Sequence, residues 1–240
     1  FVGFGYAVYA WLLFLMLAVP VWLLVLLLPR MNWRWAIMGG AARLLARATG
    51  VSLLTHGMEH VPDTGAFVLV ANHASYLDGI LLVATLPRRF TFVAKAELQD
   101  NIISRLFLRR IGCHFVERFD ARKGVEDSRR IAGLAHTGEP LMFFPEGTFE
   151  RMPGLLPFRM GAFIAAAQAG VPVVPVALRG ARYLLPADTW RARRTAVRIT
   201  AEAPIMPQGD DWTAALELRD GAREAILRHS GEPDLGDRAG

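Results

Sequence analysis

The chain has 240 residues, is 53% hydrophobic, and carries a formal charge of +5 from 27 Lys and Arg against 22 Asp and Glu. That length suits one α/β core with an appendage rather than two domains. The single cysteine excludes an intrachain disulfide and a cysteine metal pair, which fits a reducing compartment, and the basic excess comes without a DNA- or RNA-binding motif, which argues against nucleic acid as partner.

The apolar excess sits at the start. Residues 1–29 (FVGFGYAVYAWLLFLMLAVPVWLLVLLLP) hold no charged side chain; the first is Arg30. As a helix they reach roughly 43 Å at 1.5 Å per residue, more than the roughly 30 Å hydrocarbon core of a bilayer. The run is too long, and lacks the basic leader, for a secretory signal peptide. It predicts membrane association, with Pro20 either kinking a spanning helix or breaking it into a re-entrant pair. Residues 31–50 predict a second helix. Trp33 and Trp35 are interface-type aromatics, and Arg30, Arg34, Arg43 and Arg47 precede the first acid, Glu59. Ala41, Leu44, Leu45 and Ala48 make an apolar stripe suited to a bed of membrane phospholipid headgroups. The basic flank places the chain after residue 30 on the cytoplasmic side of a cell membrane. Packing of this helix on the globular part is the alternative.

Farther on, apolar and β-branched runs predict strands at 52–55, 67–71, 90–94, 114–116, 141–144, 173–178 and 197–201. Helices are predicted at 76–86, 102–110, 121–136, 159–169 and 211–228, with turn signals at Gly50, 62–65, 136–140 and 168–172. The alternation predicts an α/β fold: a mainly parallel central sheet flanked by helices, with an N-terminal membrane-associated helical element. The domains expected are 1–48 for that element, 49–229 for the α/β domain, and a polar, Gly-rich disordered tail at 230–240.

Four stretches carry candidate chemistry. In VLVANHASYLDG (68–79), His73 falls in a strand-to-helix turn and Asp78 about one turn into the helix, a place where α/β proteins build sites. Helix capping by Asn72 or Ser75, and a structural histidine, are the plain alternatives. IGCHFVER (111–118) brings Gly112, Phe115 and Arg118 into a segment, 88–130, with eleven basic and six acidic residues. Arg118 is either an anion clamp or the surface partner of Glu117 or Asp120. In LMFFPEGTFER (141–151) an apolar strand ends directly in Pro145, Glu146, Gly147 and Thr148. Either the amides near Gly147 and Thr148 form an anion-binding nest, with Glu146 accepting from a substrate hydroxyl, or the stretch is a tight turn with an exposed glutamate. GVPVVPVALRG (170–180) has two prolines in a strand-like run, so that strand must be an edge or be interrupted.

In this order the blocks Asn-His-x4-Asp, Gly-x2-Phe-x2-Arg, Phe-Pro-Glu-Gly-Thr and Val-Pro-x2-Pro resemble the glycerolipid acyltransferases typified by 1-acylglycerol-3-phosphate acyltransferase (lysophosphatidic acid acyltransferase), over about residues 52 to 200. The resemblance implies that His73 and Asp78 are the catalytic pair. It implies that Arg118, Glu146, Gly147 and Thr148 hold a glycerol-phosphate acceptor, and Arg151 matches a second basic position of the family. It further implies acyl-CoA or acyl-carrier protein as donor, a lysophospholipid as acceptor with lysophosphatidic acid foremost, and no cofactor. Where the family commonly continues Glu-Gly-Thr with Arg, this chain has Phe149. The missing guanidinium removes a charge-assisted hydrogen bond of roughly 1.5–3 kcal/mol. A different lysophospholipid or another lipid alcohol therefore stays open as acceptor.

The chemistry agrees. A thioester is already activated, so the requirement is a deprotonated hydroxyl, which an imidazole of ordinary pKa, about 6.5, accepts near neutrality. A nearby aspartate orients the ring and stabilises the imidazolium. Donors for the thioester oxygen are expected among the amides opening the 76–86 helix. A hydrolase using Ser75 lacks a Gly-x-Ser-x-Gly elbow. A non-catalytic lipid-binding module remains the other alternative. The histidines at 56, 60, 73, 114, 136 and 229 show no zinc spacing.

Overall fold

The computed structural model describes residues 2–116 and 130–236. In chain order the helices are α1 (Val2–Leu27), α2 (Met31–Thr49), α3 (Asp78–Thr85), α4 (Ile102–Arg110), α5 (130–136), α6 (Gly161–Ala169), α7 (Ala181–Leu184) and α8 (Trp212–Ser230). The strands are β1 (Ser52–His56), β2 (Val68–Ala71), β3 (Thr91–Lys95), β4 (His114–Val116), β5 (Leu141–Phe143), β6 (Val173–Arg179) and β7 (Ala196–Ala201). Each predicted strand is present within one or two residues. The part of the 121–136 prediction before residue 130 lies outside the described residues.

The sheet runs β1-β7-β6-β2-β5-β3-β4, and every neighbouring pair is parallel except β6 with β7. β2 explains why the centre holds. All four of its residues are buried, with Val68 and Val70 facing the side covered by α5, α6 and α8. Leu69 and Ala71 face the other side, with Leu81 and Leu82 of α3 and Ala46 of α2. A strand apolar on both faces suits only a sheet covered on both faces. Each fully buried Val, Leu or Phe contributes about 1.5–3 kcal/mol.

β6 is not an edge: it lies between β2 and β7. Pro175 is tolerated because pairing on the β7 side is interrupted at its level. β7 ends at Ala201, Glu202 donates its amide to the Pro175 carbonyl, and pairing resumes only at the isolated Val173–Ile205 bridge. The absent proline N–H falls in that gap.

α1 is one unbroken helix through Pro20, so no re-entrant pair forms. It lies lengthwise against the rest of the chain. The Tyr6 and Tyr9 hydroxyls donate to the Thr49 and Ala48 carbonyls, and the Trp11 indole donates to the Trp190 carbonyl. Near its other end the Trp22 indole donates to the Ile103 carbonyl. The opposite face leaves Phe4, Leu12, Leu15, Val19, Leu23 and Leu27 exposed at helical spacing. α2 packs one face on the domain while Leu44, Arg47 and Ala48 stay exposed. Arg34 is buried and donates to the Leu28, Pro29 and Arg110 carbonyls, while Arg43 donates to the Ala84 carbonyl on α3. Buried Arg34 is thereby committed to backbone carbonyls, while Arg43 stays exposed apart from that one bond.

Residues 231–236 are not the disordered segment their composition suggests. Gly231, in the left-handed region at φ 70°, ends α8 and turns the chain back. The Leu155 amide then donates to the Pro233 carbonyl at 2.8 Å, and the Leu235 amide to the Leu155 carbonyl at 3.1 Å. This backbone pairing and the ion pair of Glu232 with Arg182 outweigh the polar composition. Residues 237–240 lie outside the described residues.

Candidate active site

The apolar run of β2 stops at Ala71, and Asn72 ties its end to β6. The Asn72 Nδ2 donates to the Leu178 carbonyl at 3.0 Å, and its Oδ1 accepts from the Leu178 amide at 2.7 Å. This side-chain amide acts as a strand partner, not a helix cap. α3 starts later than predicted, at Asp78, because the carboxylate of Asp78 organises the preceding turn. Its Oδ2 accepts from the Ala74 amide at 2.6 Å, the Ser75 amide at 2.9 Å and His73 Nδ1 at 2.8 Å. With an ionised carboxylate as acceptor, the proton belongs on Nδ1, and Nε2 at the far edge of the ring carries the lone pair. Asp78 is fully buried, whereas the His73 side chain is 20% exposed. The buried Ser75 hydroxyl donates to the Leu185 carbonyl at 2.9 Å, which ties it away from His73. Amides at and just before the expected start of the helix are engaged inside the turn. Those of Ala74 and Ser75 serve Asp78, that of Leu77 the Ser75 hydroxyl, and that of Asp78 the Ser75 carbonyl.

β5 is the parallel neighbour of β2, with Val70 beside Phe143, so the loops leaving both strands meet at one end of the sheet. Glu146 is turned inward there, so it is not the exposed glutamate of a simple turn. Only 4% exposed, it accepts from the His73 amide at 2.6 Å and the Leu156 amide at 2.8 Å. Burial pushes its carboxyl up to about 7, although the two amides pull the other way. Gly147 makes the turn at φ 74°, and its amide donates to the Phe144 carbonyl at 2.9 Å, so it is already engaged where an anion nest is one of the two expectations. Thr148 and Arg151 are exposed. Arg118 lies outside the described residues. The structure thus brings His73, Asp78 and Glu146 together.

An aromatic frame, missed in the sequence, surrounds the imidazole. Phe144 stacks on it at 4.3 Å with planes 18° apart, and Phe149 covers it at 4.3 Å and 56°. Tyr76 meets Phe149 edge-on at 4.8 Å. Phe149 therefore occupies space against the histidine itself. Beside the turn, Tyr6, Trp11, Phe14, Leu77, Ile80 and Leu185 line part of an apolar cavity of about 70 Å³ between α1, α2 and α3.

The loop from Glu146 to Leu156 is braced from the far end of the chain. The Arg182 Nε pairs with Glu232 Oε1 at 2.9 Å, and Glu232 Oε2 accepts from the Gly154 amide at 2.6 Å. A guanidinium nitrogen of Arg182 also donates to the Glu150 carbonyl. Gly154 has no room for a side chain, since a Cβ would run into Leu235. The two charged side chains are 9% and 11% exposed. Removing one partner of a pair this dry leaves the other uncompensated, so Glu232→Ala is expected to cost about 3 kcal/mol of stability. Glu232→Gln, which keeps one acceptor oxygen for either Arg182 or the Gly154 amide but not both, is expected to lose less. Urea unfolding measures both, and an alanine variant with an unchanged midpoint would refute the brace.

A family model described as acyltransferase matches residues 52–179. A chloroplastic 1-acyl-sn-glycerol-3-phosphate acyltransferase of Arabidopsis thaliana is 36% identical over 132 residues, 54% of this chain and 36% of that protein. A 1-acyl-sn-glycerol-3-phosphate acyltransferase of Chlamydomonas reinhardtii is 34% identical over 174 residues, 71% of this chain and 50% of that protein. The chain thus spans half or less of the length of these two relatives. The crystal structure of the 1-acyl-sn-glycerophosphate acyltransferase from Thermotoga maritima shares the fold, with a TM-score of 0.76 at 22% identity over 96% of this chain and 94% of that one.

Proposed function

The chain belongs to the acyltransferase family, and from that membership we propose that it transfers a fatty acyl group from acyl-CoA or acyl-carrier protein to the free hydroxyl of a lysophospholipid, with lysophosphatidic acid giving phosphatidic acid. The observation that carries this reading is the 2.8 Å contact of His73 Nδ1 with a fully buried Asp78, which leaves Nε2 as the acceptor edge. The names of the glycerol-3-phosphate relatives support the choice of acceptor.

In the proposed reaction the acceptor hydroxyl hydrogen-bonds to His73 Nε2. Its oxygen attacks the thioester carbonyl as its proton passes to Nε2, and Asp78 stabilises the imidazolium. The tetrahedral intermediate collapses, the C–S bond breaks, and the departing sulfur takes the proton back from Nε2. The products are an ester and a free thiol. Glu146 fixes the His73 backbone, the apolar cavity takes the first carbons of the acyl chain, and Arg118 and Arg151 attract the acceptor phosphate. α1, apolar enough to cross a bilayer from Gly3 to Leu27, associates the enzyme with a membrane. Its lengthwise packing favours a helix sunk along one leaflet, and the basic residues after it favour the cytoplasmic side.

Phe149 supports a second reading, a lysophospholipid with a less anionic headgroup, because it presents an aromatic ring against His73. Thiol release from long-chain acyl-CoA and acyl-carrier protein, with lipid products identified, tests both readings across a panel of lysophospholipids. Lysophosphatidic acid is expected to be the preferred acceptor, and Phe149→Arg to raise its kcat/KM about tenfold through one charge-assisted hydrogen bond. Preference for a neutral or zwitterionic acceptor would favour the second reading. Silence with every pair in folded protein would leave the lipid-binding module.

A further inference from the structure

α4 turns apolar side chains both ways. Its inner side sends Phe107 and Leu108 into a cluster with Val25, Met38, Ile111 and Cys113. Its outer side leaves Ile102, Ile103 and Leu106 at 52%, 61% and 43% exposure, three large aliphatic groups within five residues. The helix is well started, because the Asn101 Oδ1 accepts from the Ile103 and Ser104 amides. Helical spacing puts Arg105 and Arg109 one turn apart along one border of the stripe. On the other border it meets α1, where the Trp22 indole donates to the Ile103 carbonyl at 3.4 Å next to exposed Val19 and Leu23. Arg110 donates to the Leu26 and Leu28 carbonyls, so α1 and α4 are held as one unit. Beyond that turn, Arg30 stands 5.0 Å over the ring of exposed Trp33, a cation and an aromatic of interface type.

We infer that the outer face of α4 is a second membrane contact, seated in the headgroup–acyl boundary of the same anionic bilayer that α1 enters. This rests on the proposed membrane association of α1. The apolar stripe is continuous with the exposed face of α1. Glu97 and Asp100 line one pocket with Arg105 and Arg109, so the rim is mixed in sign, with Arg30 as its added cation. Continuity with α1 is what favours lipid over a protein partner. The consequence is orientation. A lone helix lying in a surface leaves the attached domain free to roll about the helix axis. A second contact displaced from that axis removes the freedom and fixes the height of the loops after β2 and β5 above the bilayer. α4 thereby presents the His73 edge of the sheet at one angle to lipid substrates.

Single cysteines at Leu12, Ile103, Leu106 and Glu217, each labelled with an environment-sensitive fluorophore, test this on the full chain. Cys113 is buried and its thiol is pushed up to about 12, so it stays unlabelled. With phosphatidylglycerol–phosphatidylcholine vesicles carrying acyl-brominated lipid, labels at 12, 103 and 106 are expected to shift to the blue and be quenched. The label at 217, on α8 across the sheet, is expected to do neither. A response at 12 with 103 and 106 behaving like 217 overturns the inference and leaves α1 as anchor. No response even at 12 overturns the membrane reading and the inference with it. Independently, the triple variant I102S/I103S/L106S is expected to bind these vesicles about tenfold more weakly or worse, with its thermal melt unchanged because the replaced groups face outward. Equal binding by the triple variant also overturns it.

Discussion

His73→Ala is expected to lower kcat by about a thousandfold, within the 10²–10⁴ range of a removed general base, while the acceptor KM hardly moves. The melting temperature is expected to fall modestly, because buried Asp78 loses one donor and Phe144 and Phe149 lose a ring to pack on. The fold also uses the backbone amide at position 73, which donates to Glu146, and alanine keeps that amide. Asp78→Asn is the companion. An amide oxygen at the Oδ2 position still accepts from Ala74 and Ser75, so the turn survives, but the charge that opposes the imidazolium is gone. A loss of roughly 10²–10⁴ is expected there too. Asp78→Ala is the poorer test, because it orphans two buried amides and unfolding would confuse the result. Thiol release measured in single turnovers separates chemistry from lipid binding, and near-normal turnover in His73→Ala would remove the dyad from the mechanism.

The strands were readable because burial writes itself locally. Val68 through Ala71 are apolar on both faces, as a covered parallel strand demands, and the dyad was readable because His73 and Asp78 meet within one turn. The inward direction of Glu146 was not readable, since it depends on the β2–β5 adjacency and on Leu156 ten residues later. Asn72 finds Leu178 across 106 residues, and Arg182 finds Glu232 across 50, with no pattern near either to announce the pairing. Polar, glycine-rich composition hid the ordered 231–236 segment for the same reason. At the start of the chain, composition carried the apolarity of α1. Its lengthwise packing depends on Tyr6, Tyr9, Trp11 and Trp22 reaching carbonyls far along the chain, which periodicity does not encode.

Glu146→Gln is expected to lower kcat about ten- to a hundredfold and to erase a pH dependence of stability. An ionised carboxylate offers an acceptor to both the His73 and the Leu156 amides. A glutamine offers one oxygen and an NH₂ group, which confronts the second amide in a buried site at a cost of about 1–3 kcal/mol. The misplaced amide is either that of His73, which moves the imidazole, or that of Leu156, which loosens the loop. The wild-type carboxyl, raised from 4.5 to about 7 by burial, holds a proton in the folded state that the unfolded chain has already released between those values. Stability from this group is therefore highest below about pH 4.5, declines as pH rises, and is lost above about 7, by about 3 kcal/mol in all. The glutamine variant cannot titrate and should lack that component, so its deficit relative to wild type shrinks from pH 5 to pH 8. Activity runs the other way, because the two-acceptor form that holds His73 prevails above about pH 7 and adds to the acid limb of kcat. Urea midpoints of both proteins at pH 5 and pH 8, read beside their kcat profiles, decide it. Parallel pH dependences in wild type and variant would mean that Glu146 stays ionised throughout and that its burial is compensated by the two amides alone.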